Sequence, residues 1–115
     1  MAHSILRKYG GGKMTDSEFS KKIRERAGGV CEFCLKKSGS ETHHVFSRRH
    51  QSIRHDPENG IFLCAECHRF VHERPIIGYE KIRWLFKRKF GQEWEKRLIE
   101  KRDRPLRVGE WKGKS

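Results

Sequence analysis

Cys31-Glu32-Phe33-Cys34, Thr42-His43-His44 and the run Asn59-Gly60-Ile61-Phe62-Leu63-Cys64-Ala65-Glu66-Cys67-His68 decide how this chain folds. Each Cys-x-x-Cys can bring two sulfurs to one metal ion from a single tight turn, and two such turns close a tetrahedral four-thiolate site. Redox use of a Cys-x-x-Cys needs a thioredoxin-like βαβ setting, and no such pattern surrounds either pair. The expectation is a structural Zn2+ on Cys31, Cys34, Cys64 and Cys67, with all four positions filled by protein. The span between Cys34 and Cys64 is long for a zinc ribbon. The insertion holds His43, His44 and Asn59.

Outward from this centre the pattern reads as a turn at 30–35, a short strand over 42–46, a polar loop to Asn59 and an apolar strand over 61–63. A helix follows from Ala65 until Pro75 ends it. This is a ββα unit of α+β class, stapled by zinc. Upstream, Thr15 and Glu18 have capping-box spacing, and Phe19, Ile23 and Ala27 recur every four residues. That predicts a helix over 16–27, stopped by Gly28-Gly29 and docked on the zinc module. Downstream, Tyr79, Ile82, Leu85, Phe86 and Phe90 predict a helix over 79–90. A last helix carries Trp94, Leu98 and Ile99, with Glu93 and Arg97 spaced to pair, and is closed by Pro105. The expected organisation is a flexible lead at 1–14, a zinc-stapled domain at 15–78, a basic helical extension at 79–104 and a basic tail at 105–115.

Composition agrees with a metal staple. At 115 residues, 34% hydrophobic and 37% charged, the chain has little to bury in a core. Modules of this kind usually depend on a metal or on disulfides. Paired Cys-x-x-Cys without an apolar leader points to a reducing compartment, hence a cytoplasmic protein, and no stretch approaches membrane-spanning length. The net charge is +12, unevenly placed: +4 over residues 1–27, +1 over 28–78 and +7 over 79–115. A near-neutral motif region between basic flanks suits a polyanion held from either side, although a solvated basic surface would look the same.

His68 and His72 lie four apart on the predicted helix, so both imidazoles project from one face. His43 and His44 are neighbours on a strand and point to opposite faces unless it bends. One can hold a metal while the other stays free as a base, which is the division that phosphodiester hydrolysis needs. His72 has a second reading, as a positive charge at the helix C-terminus. Arg48, Arg49, Arg54 and Arg69 fit either phosphate contacts or a solvated surface. His3, His50 and His55 read as surface residues.

The stretch CEFC…ETHHVFSRRHQSIRHDPENGIFLCAECHRFVH, residues 31–72, resembles the HNH (ββα-metal) endonucleases, with the His-His start, the Asn-Gly-apolar-Cys middle and the Cys-x-x-Cys-His finish in order. The longer pattern also resembles phage recombination nucleases of the NinG kind. The resemblance implies a divalent-metal-dependent DNA endonuclease. In it His44 is the general base, Asn59 braces the site loop and helps orient the base or bind metal, and His43 and His68 bind Mg2+ or Mn2+. His72 matches a ligand that only some members use. Many relatives have Asp where this chain has His43, which favours softer ions such as Mn, Ni, Co or Zn. Duplex or branched DNA is the expected partner, held by the basic loop residues and by Lys87 and Arg88. The rival expectation is a zinc-ribbon module that binds nucleic acid without cutting it.

Overall fold

A computed structural model describes residues 14–104. Residues 1–13 of the expected lead, with His3, and the expected tail at 105–115 lie outside the described residues. The chain runs through helix α1 (Asp16–Ala27), strand β1 (Glu41–His44), two single 3₁₀ turns (Gln51–Ile53 and Pro57–Asn59) and strand β2 (Gly60–Leu63). Helices α2 (Ala65–Glu73), α3 (Pro75–Phe90) and α4 (Trp94–Asp103) follow.

The capping box expected at Thr15 and Glu18 is formed. The Glu18 N–H donates to Thr15 Oγ1 at 3.0 Å, and the Thr15 N–H to Glu18 Oε1 at 2.9 Å. Gly28, left-handed at φ 66°, ends α1 as a C-cap.

β1 and β2 pair antiparallel, Glu41 with Leu63, Thr42 with Phe62, His43 with Ile61 and His44 with Gly60. Alternation puts Glu41, His43, Ile61 and Leu63 on one face and Thr42, His44, Gly60 and Phe62 on the other. The first face meets the main core, where Ile61 and Leu63 pack with Ile53, Val71, Ile82, Phe86, Trp94 and Leu98. The second meets α1 through Phe19, Ile23 and Phe62. Both faces are covered, so β2 reads as an unbroken apolar run and is buried throughout.

Three local expectations are corrected. β1 spans Glu41–His44, not 42–46. Pairing stops because Asn59 Oδ1 captures the Phe46 N–H at 2.7 Å and turns the chain into the loop. Pro75 ends α2 as expected but also starts α3, so the helix assigned to 79–90 begins at Pro75. Proline lacks only a donor that the first turn leaves unpaired, and its fixed φ suits that position. Gly78 therefore lies inside α3, where an added Cβ would sit 3.0 Å from the Val71 backbone. Finally, Arg97 donates to Glu58 at 2.9 Å and to the Phe90 carbonyl rather than pairing with Glu93. It ties α4 to the turn before β2.

The buried Glu32 joins three elements. Its carboxylate accepts Arg26 of α1 at 2.7 and 2.9 Å, the Phe62 N–H at 2.9 Å and Lys89 of α3 at 3.4 Å. No helix among the described residues is long and apolar enough to cross a membrane.

Candidate functional site

The four cysteines converge, with their sulfurs within 4.8 Å of one another. All are free thiols, so no disulfide competes for them. Four sulfurs about 2.3 Å from one tetrahedral ion stand about 3.8 Å apart, so the cluster lies within metal-binding distance. Local structure builds it. Cys64 caps α2, and its Sγ accepts the Cys67 N–H at 3.5 Å. Cys31 Sγ accepts the N–H groups of Phe33 and Cys34, each at 3.4 Å. Backbone amides of Lys36 and Lys37 draw the Cys34 thiol down to about 6, which favours the thiolate that a metal needs. Burial pushes Cys67 up.

A second cluster stands on the α2 side of the sheet. His43 from β1 and His68 and His72 from α2 bring one ring nitrogen each within 4.8 Å of the others. The Nε2 atoms of His68 and His72 are 3.1 Å apart. The helical spacing of four delivers the two α2 rings, and β1 delivers the third. Burial, then the neighbouring His68 and His72, hold the His43 imidazole down to about 4, so it is neutral and its lone pair is available. Three convergent nitrogens fit a divalent transition ion. The His68 Nδ1 meets the Glu41 carboxylate. A carboxylate holding the far nitrogen of a ligand histidine fixes its tautomer and leaves Nε2 free for metal. Glu41 lies just outside the strand expected over 42–46, so the sequence pattern does not mark it; on β1 it stands two residues before His43, and therefore on the same face.

His44 stands apart from that set. Its Nε2 lies 2.9 Å from the Arg54 carbonyl, which can only accept, so Nε2 carries the proton and Nδ1 the lone pair. Its ring stacks on Phe19 at 5.0 Å. Burial lowers its pKa, against a smaller upward pull from that carbonyl. His43, His44 and His72 nevertheless line one cavity of about 250 Å³, together with Val45, Val71, Pro75, Tyr79 and Ile82.

Asn59 is fully buried. Its Oδ1 accepts the Phe46 N–H at 2.7 Å, and its Nδ2 donates to the Phe46 and Ile53 carbonyls, both at 3.1 Å. Through these three bonds the amide braces the loop after β1.

The arginines divide. Arg54 gives Asp16 a bidentate ion pair at 2.6 and 3.1 Å, and Arg48 lies 4.0 Å from the same carboxylate. His55, expected at the surface, is partly covered and sits 2.6 Å from Asp16. Arg49 and Arg69 are exposed and form no ion pair among the described residues. On α3, Arg88 lies over the exposed Trp84 ring at 4.8 Å, and Lys87 is half-buried and does not line the cavity.

Residues 31–74 match the family model of the HNH endonucleases, from the first cysteine turn to the end of α2. Neither the curated proteins nor the solved structures provide a match.

Proposed function

We propose that the HNH domain at residues 31–74 is the centre of a divalent-metal-dependent nuclease that hydrolyses phosphodiester bonds of DNA. One observation carries this reading. Three imidazoles converge on one side of β1, while His44, the residue next to His43, stays outside the set with its Nε2 2.9 Å from the Arg54 carbonyl.

In this reading Cys31, Cys34, Cys64 and Cys67 hold Zn2+, which joins the first turn to the start of α2 and has no open position. His43, His68 and His72 would hold Mg2+, Mn2+ or a softer divalent ion, which when bound supplies positive charge to the phosphate and to the departing oxygen. His44 takes the proton of the attacking water on Nδ1 while Nε2–H stays on the Arg54 carbonyl. The water oxygen bonds to phosphorus and the bond to the 3′ oxygen breaks. The resemblance implies 5′-phosphate and 3′-hydroxyl ends, the 3′ oxygen taking its proton from solvent. Because burial keeps His44 neutral, the base is ready at neutral pH. Asn59 acts at one remove, by fixing the loop that carries the Arg54 carbonyl. Arg48, Arg49, Arg69, Lys87 and Arg88 remain the proposed phosphate contacts, while Arg54 is committed to Asp16. The domain at 15–78 and the helical extension after it act as one unit, since Ile82, Phe86, Trp94 and Leu98 share the core of the sheet.

Supercoiled plasmid with Mg2+ or Mn2+ tests the reading. Wild type should nick, and His44→Ala should bind DNA equally while losing about 10²–10⁴-fold in rate, the usual contribution of a general base. Equal nicking by both proteins would remove His44 from this role. Binding without nicking by wild type would leave the zinc-ribbon reading in its place.

A further inference from the structure

Helix α1 lies outside the stretch that matches the family, yet it touches His44 through Phe19 and reaches it through Asp16 and Arg54. The Phe19 ring stacks on the His44 imidazole with 22° between planes. One turn earlier on the same helix face, Asp16 accepts Arg54 Nε at 3.1 Å and Nη2 at 2.6 Å. The Arg54 carbonyl in turn accepts His44 Nε2–H at 2.9 Å. These contacts close a ring that starts at Asp16, passes through Arg54, His44 and Phe19, and returns along α1. His55 braces it, with Nε2 2.6 Å from Asp16 and its ring 5.5 Å from Phe19. Gly60 makes the room: a Cβ there would lie 2.6 Å from Phe19 Cζ.

The carbonyl that sets the His44 tautomer belongs to a loop residue with no strand partner. If it swings, the imidazole loses both its orientation and the reason for Nε2 to hold the proton. A bidentate carboxylate fixes a guanidinium in direction as well as distance. The Asp16 side chain is 46% exposed, so this ion pair adds little to global stability.

We propose that Asp16 is a positioning residue for phosphodiester hydrolysis: through Arg54 it holds the carbonyl that orients His44, which makes α1 part of the active site. The inference rests on the reading of His44 as the base. It adds a residue far from the motif and assigns Arg54 to the base rather than to DNA.

Two variants and two readouts test it. Asp16→Ala removes the carboxylate, and Arg54→Gln removes the guanidinium while leaving the start of α1 intact. Both should lower kcat for plasmid nicking by about 10–100-fold, the scale of a misplaced catalytic group, with KM and the melting midpoint close to wild type. Asp16→Glu should recover most of the rate. In ¹⁵N-histidine-labelled protein, His44 should give an exchange-protected Nε2–H signal that is lost in both variants. Unchanged kcat with an unchanged His44 signal would overturn the proposal, as would a loss confined to KM, which would mark Arg54 as a DNA contact. Should Asp16→Ala unfold, Arg54→Gln carries the same comparison. A wild type that does not cut would sink the nuclease reading, and the His44 signal would still decide whether Asp16 positions that ring.

Discussion

Glu41 shows how a single carboxylate can matter more than its exposed position suggests. It touches His68 on the nitrogen opposite the one that faces His43 and His72, so it governs how that ring presents its lone pair. Glu41→Gln should weaken Mn2+ binding by about 10–100-fold in calorimetry, the usual effect of losing such a partner, with the zinc content unchanged. Affinity equal to wild type would show that His68 needs no orienting partner. At this scale the sequence told much about residue type and less about attachment. His43, His68 and His72 were legible because a strand and a helix have fixed side-chain periods. Asn59 was legible as a brace. Asp16 and Arg54 were not, because an ion pair across 38 residues leaves no local pattern, and a loop arginine reads the same whether it grips phosphate or carboxylate.

Among the elements, β1 carries both His43 and His44, and with them a cost in proton linkage. His43 is held down to about 4 against an ordinary 6.5, and His44 is lowered as well, both chiefly by burial. The unfolded chain therefore takes up protons first as pH falls, and a state that binds more protons gains on the other. The sign follows: stability is fully present above about pH 6.5 and declines toward pH 4. The melting midpoint of protein free of the exchangeable divalent ion should fall across that window, and His43→Asn should flatten the fall. A midpoint independent of pH between 4 and 6.5 would contradict the burial of this ring. Helix bounds are legible where capping residues mark them, as at Thr15 and Gly28. They are less legible at Pro75, because proline both stops one helix and starts the next. The strand pattern in the sequence runs on to Phe46 because β-branched and aromatic residues favour strand, whereas the Asn59 amide, 13 residues on, decides where pairing stops.

Across the whole molecule, the sheet is held between α1 on one face and the α2–α3–α4 side on the other, and the cysteine cluster joins the turn at 31–34 to the start of α2. That junction carries β2 and α2 together, so a metal bound there would belong to the folding reaction. Stripping it with a chelator and a thiol reagent should abolish the cooperative melting transition, and readdition of Zn2+ to reduced protein should restore it. A transition that survives complete removal of metal would show that the apolar core suffices. The net charge and its uneven placement were legible, but the partition of cations was not. Arg97, Lys101 and Lys89 are drawn into internal ion pairs with Glu58, Asp56 and Glu32, which only the packed helices could reveal. The proposed separation of ligand from base on adjacent residues of β1 is the point on which the proposed function turns. Pulsed EPR of bound Mn2+, counting coordinated ¹⁵N-imidazole nitrogens in wild type and in His44→Ala, measures it directly. Three nitrogens in both proteins is the expected count; none in wild type, or the loss of one on removing His44, would contradict it.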